Sequence, residues 1–324
     1  MKKSFKLFLA AAFLVTEFFV VALPLMITSA KADGHPIQAI THAGFGGGTD
    51  VTTRMMLLRT RRYLKQDMQL VNKKGGGGAA SMDYMMTLPA DGQHTLTWTT
   101  GHAVSMALGK TKVKLSDMQP LARGTDDPQL FVVNCKNEIK DAKKFIRAQK
   151  SKSLKYGTTH VGGIDDVSAI AFTKKGKLTD PTIVPYKGVG PIKTNLIKGD
   201  IDVGVLNLGE AVTEIEDGTL CVSVVLASNR MEKLSNVPTA TELGIPVVLS
   251  TVRGFVTRKG VPADRKKQLE DAMIKAMEHK YFQSFLTDIG LDSTSVVGAD
   301  EWGKQMEVML AEMTAQLKAL GYIN

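Results

Sequence analysis

Aromatic residues make up only 6% of this 324-residue chain, which has just two cysteines and two tryptophans. The aromatics are not interleaved with the basic residues, and this argues against the stacking platforms used to grip nucleic-acid bases. No H-E-x-x-H occurs, and neither Ser105, Ser168 nor the histidines sit in a nucleophile-elbow pattern. Asp126-Asp127 before Pro128 reads as a turn rather than a pair of catalytic acids. Beyond residue 32 no segment is long and apolar enough to span a bilayer, and no low-complexity linker interrupts the chain. Acidic residues are outnumbered, 32 against 41 lysines and arginines, for a formal charge of +9. That balance suits an anionic ligand.

At the N-terminus, Lys2, Lys3 and Lys6 precede a long apolar run and then Ala30-Lys31-Ala32, the three parts of a secretory signal (residues 1–32) cleaved before Asp33. Glu17 and Pro24 within the run argue against a retained anchor. Cleavage removes four lysines and one glutamate, lowering the formal charge from +9 to +6. Much of the remaining excess lies on a helical stretch carrying Arg54, Arg59, Arg61, Arg62 and Lys65, read as a solvated or partner-facing surface.

The organising stretch is ITHAGFGGGTDVTTR (40–54), a strand running through Gly44, Gly46, Gly47 and Gly48 into a helix with Thr49 and Asp50 as candidate N-caps. Glycine amides turned toward one point at a helix start make an anion site, though four glycines can also make only a tight turn. Gly44-x-Gly46 resembles the opening of a dinucleotide fingerprint. Its third position is Thr49, and Lys73 and Lys74 replace the ribose-binding acid, so no nucleotide cofactor is expected.

Downstream, strand-like segments at 36–41, 68–72, 94–99, 129–135, 153–157, 182–185, 201–206, 220–227 and 252–257 alternate with helical ones, which predicts α/β architecture with largely parallel sheets. Two domains without a floppy linker are most simply joined by crossing strands, giving a hinged cleft. From Pro262 onward the pattern is helical, and Asp300 is placed as the cap of the last helix.

The motifs GFGGGTD (44–50), NKKGGGGA (72–79), PADGQHTL (89–96), YGTTHVGG (156–163), VPYKGVGP (184–191), GDIDVGVLNL (199–208) and NVPTATELGIP (236–246) occur in an order that resembles the extracytoplasmic receptors of tripartite tricarboxylate transporters, the TctC or Bug family. The resemblance implies a two-lobed, type II Venus-flytrap periplasmic binding protein, with residues 33–132 and 228–324 in lobe one and 133–227 in lobe two. It further implies a monomer without cofactor or catalysis. Such a protein would capture a small di- or tricarboxylate and pass it to integral-membrane transporter subunits with no ATPase. A receptor feeding a membrane sensor kinase, or a periplasmic enzyme on the same fold, are the alternatives.

By position, the resemblance assigns the ligand to Gly46, Gly47, Gly48 and Asp50 on one loop and Thr158, Thr159, Gly162 and Gly163 on another; Phe45, Thr100, His102, Asp166 and Asn207 are further candidates around them, and Tyr186 and Lys187 either close over the ligand or form an ordinary turn with a surface lysine. This sequence departs from the family at His42 and Phe45, where prolines are usual, at Asp165-Asp166, and at Leu206 and Asn207. His42, His102 and His160 each follow a strand. They line the cleft for an anion or a metal, or serve only as local hydrogen-bonding residues. Cys135 and Cys221 form either one disulfide, placed near the hinge in the two-lobed reading, or two buried thiols.

Overall fold

The computed structural model describes residues 35–159, 161–319 and 321–323; the expected signal segment and His160 lie outside the described residues. The chain begins with β1 (Ile37–Thr41), α1 (Gly48–Leu64), β2 (Met68–Asn72), α2 (Ala79–Met86), β3 (His94–Thr99), α3 (Thr100–Ala107) and β4 (Met118–Pro128). It continues through β5 (Leu130–Asn134), α4 (Ala142–Ser151), β6 (Lys155–Thr158), α5 (Ile164–Lys175), β7 (Thr182–Pro185), α6 (Val189–Lys198), β8 (Val203–Leu206), α7 (Leu208–Glu216) and β9 (Leu220–Val225). It closes with β10 (Ser250–Arg258), α8 (Ala263–Met277), α9 (Lys280–Asp288), β11 (Val297–Gly298) and α10 (Ala299–Ala319).

Two sheets result, one ordered β11-β4-β10-β3-β1-β2 and the other β7-β6-β8-β5-β9. Both are mixed rather than largely parallel. Strands fed by crossover helices pair in parallel, β1 with β2 and β3, and β6 with β7 and β8. The strands that carry the chain between sheets pair antiparallel: β10 with β3 and β4, and β5 with β8 and β9. The crossing is hydrogen-bonded. Gln129 N–H donates to Leu249 O at 2.9 Å, Leu226 N–H to Gln129 O at 2.8 Å and Leu249 N–H to Leu226 O at 2.9 Å.

β4 corrects the turn reading of Asp126-Asp127-Pro128. Prolines in a sheet are confined to strand ends and bulges, and β4 meets both conditions. Pro120 stands opposite Val256 beside a register shift, and Pro128 is the last residue of the strand. Asp126 and Asp127 are paired with Val252 and Thr251 of β10. Two helix starts also differ from expectation. The α1 helix begins at Gly48 with Gly47 as N-cap, and α10 at Ala299, so Thr49, Asp50 and Asp300 lie in first turns, where a carboxylate favours the helix dipole.

The continuous core extends between the sheets. Phe131, Phe145, Tyr156 and Phe172 form an aromatic cluster around β5, β6 and α5, with the Phe131 and Phe172 rings 4.9 Å apart. Trp98 of β3 meets Trp302 of α10 edge-on at 5.8 Å, and Met306, Met309, Met313 and Leu317 continue that buried helix face. Truncating one of these rings to alanine costs about 3–5 kcal/mol. Cys135 and Cys221 are joined as a disulfide. Val133 lies opposite Cys221, whereas Leu130 at the crossing lies opposite Val225, so the bridge closes the end of the β5–β9 ladder remote from the hinge rather than near it.

Candidate ligand-binding site

The loop between β1 and α1 uses its first amides on itself. Gly46, at φ +75°, donates its N–H to Asp50 Oδ2 at 3.0 Å, and Gly47 N–H donates to Gly44 O at 3.2 Å. Asp50 also accepts from Arg54 Nε at 2.9 Å and Nη2 at 3.3 Å. Burial resists ionisation of this carboxyl, yet the bonds from Arg54 and Gly46 hold it below the ordinary value. Asp50 therefore shapes the loop. The spare donors come next. The N–H groups of Gly48 and Thr49 open α1 without an acceptor among the described residues, and no side chain caps the helix. The amides without an internal acceptor are therefore those of Gly48 and Thr49, not those of Gly46 and Gly47.

The loop between β6 and α5 repeats this construction. Gly162, at φ +69°, donates its N–H to Asp166 Oδ2 at 2.6 Å, Gly163 is the N-cap, and α5 opens at Ile164. The neighbouring Asp165 accepts from Thr159 N–H at 2.9 Å and from Thr159 Oγ1 at 2.6 Å. Thr158 ends β6 fully buried, with an Oγ1 that has no hydrogen-bond partner among the described residues. Tyr186 N–H donates to Thr158 O at 2.8 Å, which places that half-buried ring at the base of the loop; Lys187 is exposed beside it.

Arg253 and Glu210 do not stand out in the sequence, and Thr49 and Asp127 stand out there only as a cap and a turn residue. Arg253 is 3% exposed on β10 and pairs with Asp127 Oδ2 at 3.1 Å. Its Nε donates to Thr49 Oγ1 at 3.2 Å and its Nη2 to Asn207 Oδ1 at 3.4 Å. Asn207, the N-cap of α7, donates from Nδ2 to the carbonyls of Asp127 and Pro128 at 2.9 and 3.0 Å, tying the second sheet's helix to the crossing backbone. Its own N–H donates to Glu210 Oε2 at 3.0 Å. A Cβ on Gly48 would stand 2.6 Å from Arg253 Nη2 and 3.6 Å from Glu210 Oε1, so glycine is demanded at 48 by close approach. Gly47, at φ −73°, carries no such demand. Burial pushes the Asp127 carboxyl up to about 7 against the pull of Arg253, and burial likewise raises Glu210. One signal was available in the sequence: Arg253 stands inside the strand, flanked by Val252 and Gly254-Phe255-Val256, rather than at its end as Arg258 does.

The family model for the tripartite tricarboxylate transporter family receptor matches residues 52–320. The chain belongs to that family. The receptor is 27% identical over 220 residues to the protein BugT of Bordetella pertussis, spanning 65% of this chain and 66% of that one. A solved periplasmic transporter superposes with a TM-score of 0.79 at 26% identity, covering 87% of this chain and 96% of that one. MatC from Rhodopseudomonas palustris, solved with bound malate, superposes with a TM-score of 0.77 at 22% identity, covering 87% and 98%. The two-lobed α/β fold is that of periplasmic solute-binding proteins, and family and fold alike are those of receptors. Among the described residues, no helix is long and apolar enough to cross a membrane.

Two of the residues assigned to the ligand have their side chains engaged within the framework. His102 is fully buried, accepting Thr99 N–H on Nδ1 at 3.0 Å and placing Nε2 3.0 Å from Ser81 Oγ. With Nδ1 an acceptor, Nε2 carries the proton, and burial followed by the neighbouring His42 holds the ring neutral, well below its ordinary pKa. His42 meets His102 edge-on at 4.4 Å, so these two come together in the first lobe rather than spreading around a cleft. Among the described residues, no group of three His, Cys, Asp or Glu side chains is arranged to hold a metal. Thr100 Oγ1 donates to Ser250 O at 3.0 Å and accepts Val252 N–H at 2.9 Å, stitching α3 to β10. Phe45, by contrast, is 76% exposed at the tip of the first loop, with Arg54 and Lys74 beside its ring at 6.0 and 5.4 Å.

Proposed function

We propose that this receptor works in the periplasm, captures a small organic carboxylate between its lobes and delivers it to the membrane subunits of a tripartite tricarboxylate-type transporter, without catalysing a reaction. The observation that carries the reading is the duplicated loop: two helix N-termini, one from each sheet, each opened by a glycine gripped by its own aspartate and each with first-turn amides that have no acceptor among the described residues. Anions favour that setting because N–H groups and helix dipole point the same way. Two such cradles suit the two ends of a dicarboxylate, and the structurally similar proteins include one with malate and one with adipate. In this reading Gly48, Thr49, Ile164 and Asp165 offer backbone amides, Thr158 and Tyr186 line the base of the second loop, and Phe45 covers the opening.

The lobes divide where the chain passes between sheets, at Gln129 outward and through 226–249 on return. The test is a thermal-shift screen of C4 to C6 dicarboxylates, followed by calorimetry and product analysis. The expected result is one-to-one binding with the acid recovered unchanged. Turnover of the bound acid, or no shift with any of them, would refute the reading. Uptake of the labelled acid by cells with and without the membrane subunits tests delivery.

A further inference from the structure

Arg253 is buried, and its compensation is uneven. Two carboxylates approach one guanidinium: Asp127 from β4, in contact at 3.1 Å, and Glu210 from α7, whose electrostatic partners are Arg253, Asp165 of α5 and Lys193 of α6. Lys193 is itself paired with Glu214 at 2.7 Å, and Asp127 also has Asp126 beside it on β4. Asp127 Oδ1 is buried without a hydrogen bond among the described residues. The guanidinium is also incompletely used. Nη2 donates one N–H to Asn207 at a long 3.4 Å; its second has no acceptor among the described residues. That same Nη2 is the atom set against Gly48, where the spare amides of α1 begin.

We propose that Arg253 is the charged anchor of the ligand site: its remaining Nη2 N–H meets the carboxylate cradled by the Gly48 and Thr49 amides, and Asp127 and Glu210 are positioning residues that balance its charge until an anion arrives. The inference rests on the carboxylate reading above. A charge-assisted bond in a buried setting is among the stronger hydrogen bonds, and a guanidinium offers it at any physiological pH. An arriving anion takes over charge compensation, so Asp127 or Glu210 then takes up a proton and the net charge of the cluster is conserved. Binding therefore weakens as pH rises through about 7, where Asp127 gives up its proton and competes for the arginine.

Calorimetry with malate and adipate across this pH range, in buffers of differing ionisation enthalpy, tests the assignment on Arg253→Met, Arg253→Lys and Asp127→Asn, each shown folded by circular dichroism. Arg253→Met is expected to weaken binding by about 10- to 100-fold, with part recovered in Arg253→Lys. Asp127→Asn is expected to tighten binding and flatten its pH dependence, the opposite of what loss of a structural ion pair alone would do. Binding unchanged in folded Arg253→Met, or Asp127→Asn weakened with its pH dependence intact, overturns this assignment and leaves the carboxylate reading standing. Wild-type protein that binds neither malate nor adipate nor any other C4 to C6 dicarboxylate overturns both.

Discussion

In the first lobe Gly46 gives its amide to a carboxylate four residues ahead, Asp50; in the second, Gly162 does the same to Asp166, and both glycines are left-handed. What packs behind each loop differs. A side chain at Gly48 would run into the buried Arg253 guanidinium, whereas one at Gly162 would meet Leu108 Cδ1 at 3.5 Å and Lys110 Nζ at 3.7 Å, the ends of flexible side chains. The tips differ as well, Phe45 on one side and Val161 on the other, 76% and 66% exposed. In the proposed reading, two loops of like construction would hold different ends of a ligand, because charge and shape are supplied by what lies behind and above them.

The largest expected asymmetry is in stability. Only the sheet bearing the second loop is stapled, by a bridge across a sequence separation of 86 residues, for which chain entropy gives about 4–5 kcal/mol as an upper figure. Replacing both Cys135 and Cys221 by serine should lower the urea midpoint accordingly, and denatured, unreduced wild type should show no titratable thiol. Two titrated thiols would remove this difference between the lobes.

Next in size is the contrast among glycines. Gly48→Val should weaken ligand binding by about 10- to 100-fold through overpacking against Arg253. Gly47→Val should do far less, because its backbone is extended and the nearest atom to a new Cβ is Gly44 O at 3.4 Å. Equal losses in the two variants, measured by calorimetry, would return the cradle to Gly47.

Asp50→Asn and Asp166→Asn probe the shared plan itself. Each weakens a charge-assisted bond to a glycine amide, at about 1–2 kcal/mol, and the two should cost similar amounts in thermal denaturation. A large effect at one and none at the other would mean that the likeness of the loops is only geometric. The smallest change is expected from Lys187→Ala, within about 1 kcal/mol of wild-type binding, since that side chain is exposed and screened. A collapse of affinity there would move recognition from the backbone to the rim.

Much of this was legible because it is local. Apolar runs such as Ile37–Thr41 and Leu130–Asn134 announce strands, and the glycines after them announce turns into helices. β4 was hidden because Pro120 and the Asp126-Asp127 pair carry turn chemistry, and only bulges in β4 itself, against a partner strand distant in sequence, make them acceptable in a sheet. Asp50 looked like a cap for the same kind of reason: its type fits that role, but its position in the first turn lets it reach back to Gly46 instead. His102 looked available beyond a strand; Thr99 and Ser81 occupy both of its nitrogens. Arg253 meets Thr49 across a separation of 204 residues, a pairing that no local pattern encodes.

The position of β10 bears on how the protein is made. It lies between β3 and β4 in the sheet, yet follows the whole of the second lobe along the chain. Before it arrives, β3 and β4 have no shared neighbour, their hydrogen-bonding edges are open, and Arg253 is not yet available to Asp127 and Thr49. The strands from β5 to β9 form a contiguous stretch and can pair as soon as they emerge. Non-local pairing is slow because loop-closure entropy must be overcome first, so the first lobe's assembly waits on the last third of the polypeptide. During synthesis the second lobe can therefore close first, while the first stays open at β3 and β4 until most of the chain has been made.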